Sequence, residues 1–154
     1  MAYAEETKVP LEQSIAEIIG MLRKAGAQRI AQYEEPDRFT VTFQLDDRLV
    51  RFRVPLITEY RGPAAHGNGR PVDRHKWIGQ RNRQKGRALM LVIKAKLESV
   101  ESEVETFEEA FLANVVLSDG ATIYERVREP IAVEYRTGKS IPLLPDFRGG
   151  SDDL

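Results

Sequence analysis

Between Arg61 and Arg87 the chain carries eight basic residues, Arg61, Arg70, Arg74, Lys76, Arg81, Arg83, Lys85 and Arg87, and only Asp73 opposes them. Guanidinium forks and ammonium groups at this density suit one chemistry best. Arginine pairs with phosphate oxygens through parallel N–H donors, and lysine adds a point charge. Trp77 and His75 sit inside the run and offer planar rings on which an unpaired base can stack. Burying this many unpaired cations is prohibitive, so the segment stays in water whatever its backbone does. In an α-helix, residues two apart lie about 200° from each other. Arg81 and Lys85 would then share one face and Arg83 and Arg87 the opposite one, with the segment projecting from the body. As a loop relaxed by Gly79 and Gly86, the same side chains could converge on one ligand. The plainer role is a solvated helix end whose charge offsets glutamates of the same or a neighbouring subunit. Glu98, Glu101, Glu103, Glu105, Glu108 and Glu109 follow with no Lys or Arg among them.

A second polar surface lies on a β-hairpin. Phe39, Val41, Phe43 and Leu45 alternate with Thr40, Thr42 and Gln44, and after Asp46 and Asp47, Val50, Phe52 and Val54 alternate with Arg51 and Arg53. Period two on both arms puts the apolar residues on one face. Thr40, Thr42, Gln44, Arg51 and Arg53 take the other, with Arg48 near the turn. Some nucleic-acid binders use sheet faces, but an ordinary half-exposed antiparallel sheet gives the same pattern. Aromatics on that side would favour binding, and the reading places none there.

Other chemistries find little support. His66, Asp73 and His75 are metal-type residues, but two histidines in or beside a glycine-rich loop read better as exposed residues than as ligands. No metal or cofactor is expected. Cysteine is absent, which excludes thiolate nucleophiles, disulfides and thiolate metal sites. No glycine-flanked serine elbow occurs, and "HGNGRP" lacks the spacing of a phosphate loop or dinucleotide fingerprint. Adjacent Asp46 and Asp47 serve a turn in preference to acid–base work. A metal-dependent nuclease is a distant third reading.

The elements that must position these residues are legible in outline. Leu11, Ile15, Ile18, Ile19 and Leu22 recur at helical spacing after Pro10, with Gly26 just past the end. A short strand is expected around Ile30 to Tyr33, then the hairpin, with Pro55 ending ladder pairing or marking an edge. "RGPAAHGNGRP" reads as a mobile loop near 58–71. A long helical stretch covers about Val72 to Val104. Its continuation, Ile93, Leu97, Val100, Val104, Phe107 and Phe111, forms a seam spaced in alternating fours and threes. Thr106 with Glu109 has capping-box spacing, so a helix restarts there. "SDG" is a turn, and a last helix spans about Thr122 to Arg136, perturbed by Pro130 and stopped near Gly138. The expectation is one α+β domain over residues 1–145, helices on one face of a small antiparallel sheet. An extended, then disordered acidic tail would occupy 146–154.

Net charge is −1, which argues against coating DNA by bulk attraction but not against a binder with segregated charge. The start, MAYAEETKVP, lacks the basic and apolar regions of a signal peptide. No apolar run approaches the roughly 20 residues of a membrane span. These features point to a protein of the cytoplasm with no membrane partner.

The stretches "VRFRVPL", "RALMLVIKAKLESVES", "TFEEAFLANVVLSDG" and "LLP" resemble a recurrent, largely uncharacterised small protein of bacteriophages and prophages, over about Val9 to Pro145. The resemblance implies a mobile element in a bacterial host and carries no catalytic or ligand residues. The leading expectation is a non-enzymatic phage-type accessory protein. It would bind nucleic acid, a single strand being one form, through Arg70, Arg74, Lys76, Trp77, Arg81, Arg83, Lys85 and Arg87, assisted by Arg51 and Arg53. The alternative is a subunit or inhibitor docking on a host or phage protein through its helical half and acidic stretch. The apolar seam could also pack across a two-fold axis into a homodimer.

Overall fold

The first helix, α1, spans Leu11–Lys24, with Pro10 at the N-cap position in extended conformation. Its C-terminus closes through Gly26, whose φ of +90° lets the Ala27 N–H donate back to the Leu22 carbonyl at 2.9 Å. Ile15, Ile18 and Leu22 form its buried stripe. The computed structural model describes residues 4–144. The acidic tail expected over 146–154 lies outside the described residues.

Three antiparallel strands follow in the order β1 (Gln28–Glu35), β2 (Arg38–Leu45) and β3 (Arg48–Pro55). Strand β1 is longer than the Ile30 to Tyr33 segment expected. Its polar sequence gives no strong period, and pairing with β2 from Gln28↔Gln44 to Glu35↔Arg38 defines its ends. The β2–β3 hairpin pairs Thr42 with Arg51 and Thr40 with Arg53. Asp46 and Asp47 form its two-residue turn at φ 47° and 60°, the left-handed pair such turns need.

Helix α2 (Arg74–Glu101) crosses behind the sheet, followed by α3 (Phe107–Phe111), a 3₁₀ turn (Leu112–Asn114) and α4 (Ile123–Thr137). Phe39, Val41, Phe43, Val50 and Phe52 on the inner sheet face pack against Ile15, Ile18, Leu22, Leu89, Met90, Ile93 and Phe111. Each buried side chain of this size contributes roughly 1.5–3 kcal/mol. Phe111 meets the rings of Phe43 and Phe52 edge-on at 5.9 and 6.1 Å. The architecture is α+β, as the periodicities imply.

Two expectations change. Val104 is not part of the seam and is 76% exposed. Helix α2 ends at Glu101 and Glu103 turns left-handed at φ 57°, which breaks the repeat before the Thr106–Glu109 capping box restarts it. Nor do all helices share one face. Helix α4 buries none of its residues, and its Glu125 meets Arg51 and Arg53 on the sheet's outer side. No helix among the described residues is long and apolar enough to cross a membrane.

Candidate nucleic-acid interface

The basic segment is helical. Asp73, its only acid, caps the start of α2, with Oδ1 accepting the Lys76 N–H at 3.1 Å. From there Arg74, Trp77, Arg81 and Lys85 recur at spacings of three and four on one side of the helix. Gly86, Leu89, Met90 and Ile93 bury the other side. A Cβ at Gly86 would lie 2.5 Å from Leu11 Cδ1, so the absent side chain is what lets α1 and α2 meet there.

The helix does not project from the body as a charged rod would. Two amides interleaved with the cations tie it down. Gln80 donates to the carbonyls of Glu5 and Thr7 at 3.1 and 2.8 Å. Asn82 accepts the Ile57 N–H at 2.8 Å and donates to the Ile57 carbonyl at 3.1 Å. These bonds satisfy irregular backbone on both flanks of α2, and Arg74, Arg81 and Lys85 stay on the strip between them.

That strip is built around aromatic rings. Arg74 lies over the ring of Tyr60 at 5.4 Å, Tyr60 meets Trp77 edge-on at 5.0 Å, and Arg81 lies over Trp77 at 5.1 Å. The Tyr60 hydroxyl donates to the Pro63 carbonyl, which fixes the ring where the loop leaves the sheet. Within that loop, expected to be mobile near 58–71, a small turn forms. His66 N–H donates to the Arg70 carbonyl at 2.9 Å and Gly69 N–H to the His66 carbonyl at 2.8 Å. Tyr60 was not singled out from the sequence, because no local period links it to Trp77, 17 residues away.

Availability divides the basic residues. Arg87 is ion-paired with Glu17 of α1, so it is not a free phosphate contact, contrary to expectation. Arg83 donates to Gln80 Oε1 at 2.7 Å. Among the described residues, Arg70, Arg74, Lys76, Arg81, Arg83 and Lys85 meet no carboxylate at ion-pair distance. Their placement also runs against the helix dipole. The first turn of α2 has no acidic residue and the last turn no basic one, an arrangement that costs about 0.3–1 kcal/mol per misplaced charge. That signal was present in the sequence as soon as the helix was drawn.

The hairpin arginines differ. They sit on the outer sheet face, across the sheet from α2, and do not extend the same surface. Arg51 Nη2 and Arg53 Nη1 reach the Glu125 carboxylate at 3.1 and 3.5 Å, and the Arg51 side chain is only 13% exposed. Glu125 also accepts the Thr122 N–H at 3.0 Å in the α4 capping box. That backbone N–H, with the charges of Arg51 and Arg53, holds its carboxyl below the ordinary glutamate value. This face does carry an aromatic: β1 brings Tyr33 opposite Thr40. Thr40 itself is buried, beneath a face expected to be half-exposed.

The remaining candidates disperse. Asp73 is engaged in capping, and among the described residues no three His, Asp or Glu side chains gather as a metal site. Several glutamates of the acidic stretch have local roles. Glu105 accepts from Ser99 Oγ at 2.8 Å, Glu109 closes the α3 capping box, and Glu108 faces Arg48 at 3.4 Å. A cleft of about 480 Å³, unforeseen from the sequence, opens between α1 and α2 near the hairpin turn. Its floor includes Met21, Leu45 and Phe107, and Lys24, Lys94, Glu98 and Glu101 mix both signs on its rim. No protein-family model, curated protein or solved structure matches this chain.

Proposed function

We propose that the protein binds nucleic acid through the exposed strip at the start of α2, with Arg74, Arg81 and Lys85 on phosphates around Trp77 and Arg70 and Lys76, beside the strip, as two further contacts. In this reading it is a non-enzymatic accessory protein of the phage or prophage type that its sequence resembles, acting in the cytoplasm of a bacterial host. The observation that carries the reading is a set of cations with no carboxylate partner, grouped about two aromatic rings. Two of them, Arg74 and Lys76, stand in the first turn of α2, where positive charge is least favourable for folding. Local choices that oppose the fold mark functional surfaces. Arg51, Arg53 and Arg87 are left out, because Glu125 and Glu17 engage them, and so is Arg83, which is bonded to Gln80 away from the strip.

Affinity would come mainly from counterion release, so binding weakens steeply with salt. With five contacts at about 0.7 each, log K against log salt for a single strand should slope by roughly −3 to −4. Fluorescence anisotropy with labelled single-stranded and duplex oligonucleotides, titrated across salt, tests this. Absent binding at low salt, or binding indifferent to salt, removes the proposal.

One observation favours a second reading, a protein-docking role for the helical half. Helix α4 leaves Tyr124 and Tyr135 58% and 87% exposed on one side, four residues before and after Arg128 and Ile131 respectively. A stoichiometric protein complex lost on Tyr124→Ala with Tyr135→Ala, in a chain without oligonucleotide affinity, would favour it. Helix α4 could equally meet a second copy, which sedimentation analysis would reveal.

A further inference from the structure

The alternating series Arg74, Tyr60, Trp77, Arg81 narrows the ligand class. A nucleobase is a flat π-system with polar edges, and it fits the same kind of stack that these four side chains already make. Arg81 is exposed, covers Trp77 at 5.1 Å and has no carboxylate to hold it, so its side chain is free to lift. Trp77 is half-buried and braced edge-on by Tyr60, so the indole keeps its orientation when Arg81 moves. We infer that Trp77 and Arg81 form a stacking site for one unpaired base. The indole is the platform and the guanidinium closes over the base, while Arg74 and Lys85 take phosphates on either side. The ligand is therefore single-stranded nucleic acid. This rests on the nucleic-acid reading above and adds strandedness to it.

The setting of α2 points the same way. Gln80 and Asn82 anchor the helix on either side of Arg81, each about 100° around the axis from it. These bonds hold α2 against the body on both sides of the strip, and a flexible single strand can lie along it.

Trp77 is the only tryptophan, which makes its fluorescence a local reporter. The probe is an oligothymidylate of about 12 nucleotides, within the usual range of site sizes, compared with the same strand annealed to its complement. Quenching of Trp77 and at least tenfold tighter binding of the single strand are expected. Trp77→Ala should weaken single-strand binding by about 5- to 150-fold, the usual contribution of one stacked base, while Trp77→Phe retains most of it. Arg81→Ala, at an exposed position, gives the same direction of change without threatening the fold, and circular dichroism checks each variant. Equal affinity for single strand and duplex, with no quenching and no effect of Trp77→Ala, overturns the stacking site yet leaves a phosphate-binding surface intact. Loss of all oligonucleotide binding by the unaltered protein overturns both.

Discussion

Two arginine-bearing surfaces of this protein look alike in composition and differ in what surrounds them. On the outer sheet face, Arg51 and Arg53 share the carboxylate of Glu125, which a capping box holds in place. At the start of α2, Arg74 and Arg81 lie over aromatic rings and meet no acid. A ring leaves the cation's charge available, whereas a carboxylate neutralises it. Residue type therefore does not separate the proposed binding surface from the structural one here. The neighbour does.

The comparison breaks most visibly by charge reversal. Arg74→Glu, Arg81→Glu and Lys85→Glu together should lower low-salt affinity for an oligonucleotide on the order of 100-fold and flatten the salt slope by about 2. Arg51→Ala with Arg53→Ala should leave affinity within about twofold. Similar losses from the two sets, measured by anisotropy, would mean that the faces are equivalent.

A sharper version frees the hairpin arginines without touching them. Glu125→Gln keeps a residue that serves the capping box and removes the negative charge. Because the outer face lies across the sheet from α2, the salt slope of a protein whose only site is the α2 strip should change by less than about 0.7, the size of one phosphate contact. A slope steeper by that amount or more would show that the outer face joins in once its cations are released.

A smaller effect concerns folding alone. Lys76→Glu puts an acid in the first turn of α2, where the helix dipole favours it, and should stabilise the fold by about 0.3–1 kcal/mol while weakening binding. Urea denaturation reads the first change and anisotropy the second. A destabilised variant would contradict the view that this basic end is retained against folding.

The smallest effect is the acid response of the Glu125 clasp. Its folded pKa lies below the ordinary value of 4.5 because of the Thr122 N–H and then the two arginines. A depressed carboxyl contributes stability that is fully present above 4.5 and is lost as pH falls through the lower folded value. Denaturation midpoints of the protein and of Glu125→Gln should differ by a constant from neutral pH down to about 4.5 and converge below it. A difference that grows on acidification would reverse the sign.

Much of the scaffold was legible because its signals are short-range. The Thr106–Glu109 capping box, the Asp46–Asp47 turn and the alternation on β2 and β3 each involve residues a few positions apart. Val104 misled because a heptad-like spacing continues across a left-handed turn at Glu103 that the pattern does not reveal. Strand β1 was underestimated because an edge strand of polar residues takes its length from its neighbour.

The amino-acid order by itself determined that most cations between Arg70 and Arg87 would stay at the surface, since so many cannot be buried unpaired, and that the hairpin would turn Arg51 and Arg53 to one face. Only the tertiary structure decided which of those cations stay unpaired. Arg87 meets Glu17 across 70 residues and Arg51 meets Glu125 across 74, while Tyr60 reaches Trp77 from the far side of a loop. Local periodicity sets which way a side chain faces, but packing between distant elements sets what it faces.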